Sequence, residues 1–349
     1  MVRKKDGSYR YCVDYRRMNS VTIKDAFPVP DVKDALDDSL RGAKYFAMID
    51  LLSGYWQLGM TQRARGRSAF CTRRGFYQFT RMAFGLSNAP ASFCRLMQII
   101  LHDVAYVNCI CYLDDIIVFG DTRAAHGQPG RVFTRLKEKG LKAKPSKCVL
   151  FRNPIDFLGH MVSADGIQKQ PDKHAAIRDW PTPHCLRDVR AFYGLASYYR
   201  KFVKDFAKIA EPLSRMTKKN TPFMWTDETQ QSFEELKKAL LDVDTLAYPT
   251  PGIPCILDPD ASDVAVEAVL SQVMDGVEKP IAYFSRVLNG TQGNYSPTRR
   301  ELLAVITSLQ HFRHYLLGNK VILRTDHHSL NWLRALKLPE RILARWIKR

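Results

Sequence analysis

The chain has 349 residues, with 53 Lys or Arg against 35 Asp or Glu, a formal net charge of +18. That length suggests two or three domains, and so large a basic excess favours a polyanionic partner. No apolar run is long enough to span a bilayer, so nucleic acid fits the charge better than a membrane surface. The polar start, Met1-Val2-Arg3-Lys4-Lys5-Asp6-Gly7, lacks the apolar core of a signal peptide. Eight cysteines lie scattered without a C-x-x-C pair, which points away from zinc and towards a reducing setting, cytoplasmic or nuclear.

In chain order, Lys4 to Ser8 reads as a turn and Tyr9 to Arg16 alternates like a strand, so a basic hairpin is expected first. Phe46-Ala47-Met48-Ile49 is a short apolar strand ending in Asp50. From Met60 to Arg74 the chain carries Arg63, Arg65, Arg67, Arg73 and Arg74; contact with a phosphate backbone and plain solvent exposure are equally good readings. Asn88 is placed as an N-cap and Pro90 suits a first helical turn, while Phe93, Leu96, Met97, Ile100 and Leu101 make one apolar face.

Val107 to Cys111 and Ile116 to Phe119 then flank Tyr112-Leu113-Asp114-Asp115, a hairpin with two acids at its tip. Adjacent carboxylates at a tight turn repel one another unless a positive charge sits with them. A hard divalent cation such as Mg2+ takes oxygen ligands and suits phosphoryl transfer, whereas the plainer alternative is a solvated Asp-Asp turn. Asp50, at another strand end, is the third acid of a cluster that could serve two metals about 4 Å apart.

Further on, a helix over Asp121 to Leu136 is expected to be interrupted by His126-Gly127-Gln128-Pro129-Gly130, at a cost of several kcal/mol. Leu141 to Cys148 and Phe157 to Val162 follow, and Gly166 turns the chain. Pro181-Thr182-Pro183 punctuates a boundary. Phe192, Leu195, Tyr199, Phe202 and Phe206 recur at helical spacing as one aromatic face, leaving Arg190, Tyr198, Arg200, Lys201 and Lys204 outside it. A helix over Glu228 to Leu241 has Asp227 and Gln230 placed as a cap pair. Tyr248 to Pro254 is a stiff linker, after which strands are expected at Cys255 to Ser262, Ile281 to Leu288 and Val321 to Asp326, with a helix from Ser296 to Leu317.

Phe46 to Leu58, Phe84-Gly85-Leu86-Ser87-Asn88-Ala89-Pro90 and Tyr112 to Asp115 resemble the successive palm motifs of reverse transcriptases, in the form carried by gypsy-type LTR retrotransposon Pol polyproteins. The resemblance covers nearly the whole chain. It implies an α+β fold: a right-hand polymerase palm with partial fingers over residues 1–168, helical thumb-like or connection elements over 169–247, and a C-terminally truncated ribonuclease H-like α/β domain over 248–349. The implied activity is RNA-directed DNA polymerisation with two Mg2+ per active site, Mn2+ being an alternative. By the same resemblance Asp50 and Asp114 bridge the metals, Asp115 assists, and the Leu51 carbonyl is a further ligand.

The resemblance also places Lys4, Lys5 and Arg10 on the nucleotide triphosphate, Tyr55 as the steric gate against a ribose 2′-hydroxyl, and Phe84 and Gly85 beside the templating base and nucleotide. Phe157, Leu158 and Gly159 correspond to the primer grip. Asp260, Glu301 and Asp326 match three of the four metal-binding acids of ribonuclease H. Two departures imply an impaired nuclease: Glu267 stands where the family usually has glycine, and the sequence stops at Arg349, before the fourth acid. The implied partners are an RNA or DNA template, a DNA or tRNA primer, an RNA–DNA hybrid and deoxynucleotides, without a membrane. Two other readings stay open, a degenerate nucleic-acid-binding relic without catalysis and a template-independent nucleotidyl transferase.

Overall fold

The computed structural model describes residues 2–3, 7, 9–28, 40–104, 108–121, 127–242 and 245–326. The chain divides into two units, Met1–Leu158 with Val162–Ala164, and Gly159–Met161 with Asp165–Arg349.

The first unit opens on a shorter form of the expected basic hairpin, β1 (Val2–Arg3) antiparallel to β2 (Tyr9–Arg10): the strand expected over Tyr9 to Arg16 ends at Arg10, and Arg16 already begins α1 (Arg16–Val21). β3 (Tyr45–Asp50) is the apolar strand ending in an acid. An arm follows, made of α2 (Gln62–Arg67) and the hairpin β4 (Phe70–Thr72) and β5 (Gly75–Tyr77). Then come α3 (Ala89–Ile100), β6 (Cys109–Tyr112), β7 (Asp115–Gly120), α4 (Gly127–Glu138), β8 (Val149–Arg152) and β9 (Ile155–Phe157). Four strands form an antiparallel sheet in the order β6-β7-β3-β8.

Phe93, Met97, Ile100 and Leu101 bury the apolar face of α3 against Ala47 and Ile49 of β3 and Ile116 and Val118 of β7. Nonpolar burial of this kind is worth roughly 25 cal/mol per Å2 and fixes the sheet that carries the acids. Cys109 joins the same core, and burial pushes its thiol up to about 12, as expected of a packing residue.

One sequence expectation is corrected here. Gly127, Gln128, Pro129 and Gly130 do not break the helix over the described residues but are themselves helical, as part of α4. Val132 and Leu136 of α4 then reach the core. Residues 122–126, the earlier part of the expected helix, lie outside the described residues.

β10 (His160–Ser163) carries the chain from one unit to the other and β11 (Gly166–Lys169) follows. Gly166 is required where it stands: a Cβ there would fall 2.2 Å from the Leu246 carbonyl oxygen, and its φ is +144°. Lys169 is buried, its ammonium donating to the Leu240 carbonyl, and burial lowers it to about 8.

The helical part of the second unit is α5 (Pro171–Arg178), α6 (Leu186–Tyr198), α7 (Phe206–Ile209), α8 (Glu211–Met216) and α9 (Asp227–Leu241). The aromatic run expected as one helix face is broken. α6 ends at Tyr198, Arg200–Phe202 makes a 3-10 turn, and Asp205 is left-handed at φ +58° before α7 begins. Phe192, Tyr199, Phe202 and Phe206 are nonetheless all buried, so hydrophobicity was read correctly and helix continuity was not. Arg200 is not an outward charge either. It is largely buried, donates to the Ser285 carbonyl, and burial lowers its pKa. The cap of α9 is Thr226, whose side chain accepts from the Thr229 N–H while Thr229 reciprocates, so the expected Asp227–Gln230 pair is displaced by one residue.

The rest of this unit is a sheet in the order β14-β13-β12-β15, from β12 (Cys255–Ala261), β13 (Ala265–Met274), β14 (Val277–Val287) and β15 (Val321–Leu323). β12 runs parallel to β15 and antiparallel to β13. Between β14 and β15 lie α10 (Gly290–Gly293), α11 (Pro297–His311) and α12 (Arg313–Leu316), the expected single helix breaking at Phe312. Among the described residues no helix is long and apolar enough to cross a membrane, and all eight cysteines are free thiols.

Candidate active site

β3 and β7 pair antiparallel down to their ends, and the terminal pair of that register sets Asp50 directly opposite Asp115. β6 turns into β7 through Leu113 and Asp114, with Leu113 left-handed at φ +54°, which lets the chain reverse in two residues. The Leu51 N–H donates to the Asp114 carbonyl at 3.2 Å, tying the turn to the strand that carries Asp50. Three acids thus share one end of the sheet, Asp50 and Asp115 at the facing ends of β3 and β7 and Asp114 in the turn that joins β6 to β7.

Two residues that the sequence reading passed over complete this arrangement. A Cβ on Gly54 would stand 2.4 Å from Asp114 Oδ1 and 2.8 Å from Phe93 Cζ, so the Asp114 carboxylate and the backbone of the Ser53–Gln57 turn approach as only glycine allows. Lys147 places its Nζ 2.7 Å from Asp50 Oδ2. It is brought there by the pairing of Leu51 with Ala143 and by the Lys144 N–H donating to the Asp50 carbonyl at 2.8 Å. The Asp115 carboxyl is held above the usual range, first by burial and then by Asp50 opposite it, with Lys147 pulling the other way.

This is a site short of positive charge. Among the described residues no group of three or more His, Cys, Asp or Glu side chains is gathered as a ready metal cage. What the protein offers is an opposed carboxylate pair with a third carboxylate beside it. That oxygen-only set fits a hard cation such as Mg2+, which keeps several waters and takes substrate phosphates rather than demanding an all-protein shell.

Tyr55 lies next to this end of the sheet, its ring centroid 5.2 Å from Phe84 and 5.5 Å from Phe93. Burial, and next the charge of Asp114, push its phenol up to about 12. The Phe84–Asn88 loop is pinned by two amides. Asn19 donates to the Gly85 carbonyl at 2.8 Å and accepts from the Ser87 N–H at 2.9 Å. Asn88 does not cap α3 through its side chain, as expected; it donates to the Ile23 carbonyl and accepts from the Asp25 N–H.

Other expected site residues are placed singly. Lys4 and Lys5 lie outside the described residues, and of Arg10 only the backbone is described, paired with Val2. Phe157 is buried at the end of β9, while Leu158 and Gly159 both have positive φ, and the Tyr199 hydroxyl donates to the Gly159 carbonyl at 2.8 Å.

In the second unit Asp260 on β12 faces Glu267 on β13 in the strand register. A cavity of about 450 Å3 is lined by Asp258, Asp260, Glu267, Asp205, Arg324 and Asp326 among others. Asp260 and Asp326 therefore come to one place; Glu301, on α11, is not among that cavity's described lining. Arg324, just past the end of β15, pairs with both Asp258 of β12 and Glu278 of β14. Glu267 has its carboxyl raised to about 8, by burial first and then by a hydrogen bond to Asp205 and the charges of Asp205 and Asp260.

Residues 2–162 match the family model described as reverse transcriptase (RNA-dependent DNA polymerase), and residues 225–323 match the RNase H-like domain found in reverse transcriptase. The chain belongs to the reverse transcriptase family. It is 40% identical over 99% of its length to the retrovirus-related Pol polyprotein from transposon 297 of Drosophila melanogaster, covering 33% of that protein. To the corresponding polyprotein from transposon gypsy of the same organism it is 34% identical over 97% of its length, again covering 33%. The chain spans about a third of the length of these polyproteins. Among solved structures, the foamy viral protease-reverse transcriptase in complex with double-stranded DNA superposes with a TM-score of 0.87 at 27% identity, over 99% of this chain and 61% of that one. The foamy viral enzyme in complex with an RNA/DNA hybrid gives 0.84 at 26% identity, over 99% and 47%. The α+β architecture of palm and ribonuclease H-like sheet expected from the motifs is the observed one.

Proposed function

We propose that this chain is an RNA-directed DNA polymerase. In the reaction the primer 3′-oxygen forms a bond to the α-phosphorus of a deoxynucleotide, the bond to the β-phosphate oxygen breaks, and pyrophosphate leaves. The observation that carries this reading is the register that sets Asp50 against Asp115 with Asp114 in the adjoining turn. Asp50, Asp114 and Asp115, with the Leu51 carbonyl, would hold the divalent cations, Mg2+ foremost. Such cations, when bound, favour ionisation of the attacking hydroxyl and neutralise charge on the departing pyrophosphate. Between turnovers the Lys147 ammonium compensates Asp50, and the clamp of Asn19 on Gly85 and Ser87 holds the nucleotide-side loop.

On this reading residues 1–168 are fingers and palm, 169–247 thumb or connection, and 248–349 the nuclease-like domain. Lys4, Lys5 and Arg10 serve the triphosphate, Phe84 and Gly85 the nascent base pair, and Phe157, Leu158 and Gly159 the primer end. The partners are an RNA or DNA template, a DNA or tRNA primer, the resulting hybrid and deoxynucleotides, inside the cell. The foamy viral complexes with double-stranded DNA and with RNA/DNA hybrid support duplex binding.

Tyr55 is held firmly enough by Phe84 and Phe93 to act as the gate. Tyr55→Val is expected to raise ribonucleotide incorporation relative to deoxynucleotide by about 10-fold or more, read as a ratio of kcat/KM values. Asp260, Glu301 and Asp326 would serve hybrid cleavage, but Glu267 opposite Asp260 sets an extra carboxyl in the strand pair, so nuclease activity is impaired. The direct test of the polymerase reading is extension of a DNA primer on RNA templates of different sequence. Products that follow each template support it. Extension without a template would replace it with a terminal transferase.

A further inference from the structure

We propose that the β4–β5 hairpin is a landing surface for unpaired template RNA, with Phe76 stacking on a base and Arg73 and Arg74 on the flanking phosphates. Residues 51 to 102 contain no Asp or Glu against seven Arg. Among the described residues Arg63, Arg67, Arg73 and Arg74 have no carboxylate partner, and all four are exposed. Arg73 and Arg74 form the two-residue turn of the hairpin, between the paired Thr72 and Gly75.

On that charged tip sits an aromatic ring with no packing role. Phe76 is 84% exposed and pairs across the hairpin with Cys71, also exposed. The opposite face shows what packed rings look like in the same hairpin: Phe70 lies 5.8 Å from Tyr77 at an interplanar angle of 27°, and 5.5 Å from Tyr11. That tier stiffens the hairpin from behind and leaves Phe76 presented alone.

The base of the arm is equally fixed. The Met60 N–H donates to the Thr80 carbonyl at 3.0 Å and the Met82 N–H to the Leu58 carbonyl at 2.8 Å. Inside it, buried Ser68 accepts from the Phe79 N–H at 2.9 Å, and its carbonyl receives the Tyr15 hydroxyl. The arm thus springs from the segment directly after Tyr55, on a rigid root. An exposed ring between uncompensated guanidiniums is the chemistry of single-strand binding, in which bases stack without sequence preference and phosphates neutralise Arg. A second copy of this chain, docked symmetrically on the same face, is a poor occupant, because it would set arginine tips against arginine tips.

This proposal rests on the reading of the chain as a primer–template polymerase. The test is fluorescence anisotropy with two labelled RNA–DNA duplexes, one blunt and one with a long unpaired 5′ RNA overhang, over a series of salt concentrations. Phe76→Ala is expected to weaken the overhang duplex by about 5- to 150-fold, leaving blunt-duplex affinity and the salt slope unchanged, and Phe76→Trp to restore it. Arg73→Gln with Arg74→Gln is expected to flatten the log–log salt slope on the overhang by about 1.4. Wild-type affinity of Phe76→Ala for the overhang overturns the proposal, as does an equal loss on both duplexes. A change in sedimentation of the free chain on Phe76→Ala also overturns it, in favour of self-association. Failure of the wild type to bind either duplex overturns this proposal and the polymerase reading together, whereas an unaffected Phe76→Ala on a tightly binding wild type overturns this proposal alone.

Discussion

Gly54→Ala is expected to lower RNA-templated nucleotide incorporation by about 100-fold while costing only about 1 to 3 kcal/mol of stability. The added methyl carbon has nowhere to go: Asp114 Oδ1 is 2.4 Å from its position and Phe93 Cζ 2.8 Å. Phe93 is fully buried under the sheet, so the carboxylate must yield. Gly54 does not have a positive φ, so alanine brings no backbone strain of its own and the effect reports only the close approach. Single-turnover incorporation beside a thermal melt separates the two quantities. Near-wild-type incorporation would mean that the position of Asp114 is unimportant to the reaction.

The second large effect concerns pH and the second unit. Glu267 titrates near its ordinary value of 4.5 when unfolded and at about 8 when folded, among Asp205, Asp260 and Lys208. Between those values the folded chain holds a proton that the unfolded chain has released. Its contribution to stability is therefore fully present below about 4.5 and is lost as pH rises through about 8. Local unfolding free energy at β12 and β13, followed by amide hydrogen exchange in metal-free buffer, is expected to fall by about 2 to 5 kcal/mol from pH 5 to pH 8.5. Glu267→Gln should flatten that dependence. A wild-type profile that is already flat would show that Glu267 is ionised in the fold and relaxed away from Asp205.

Much of this was legible in the sequence because strand ends and turns are written locally. The apolar run into Asp50 and the hairpin around Asp114 and Asp115 needed only alternation and a turn, and both stand where they were expected. What local pattern could not reach was distance. Lys147 meets Asp50 across 97 positions of chain, and only the basic spacing of Lys142, Lys144 and Lys147 in a strand-like stretch hinted at a cationic edge beside the acids. Gly54 lies within the Phe46 to Leu58 motif, yet its necessity comes from Asp114, sixty positions on. Periodicity also misled: the three- and four-residue steps from Phe192 to Phe206 continue through the left-handed Asp205, since buried turns keep the same spacing as helices. The start of α9 was misjudged by one residue at Thr226, where several neighbouring residues could cap the first turn and the backbone decides which does.

The central claim is that Asp50, Asp114 and Asp115 form the centre of a templated polymerase. It is tested most directly by extending a DNA primer on an RNA template with Mg2+ and deoxynucleotides, wild type against Asp114→Asn, with hybrid binding measured on the same samples. Extension by the wild type, reduced by about 1,000-fold or more in Asp114→Asn at unchanged hybrid affinity, is the predicted result. A folded wild type that binds the hybrid without extending the primer would contradict it and leave the chain a nucleic-acid-binding relic.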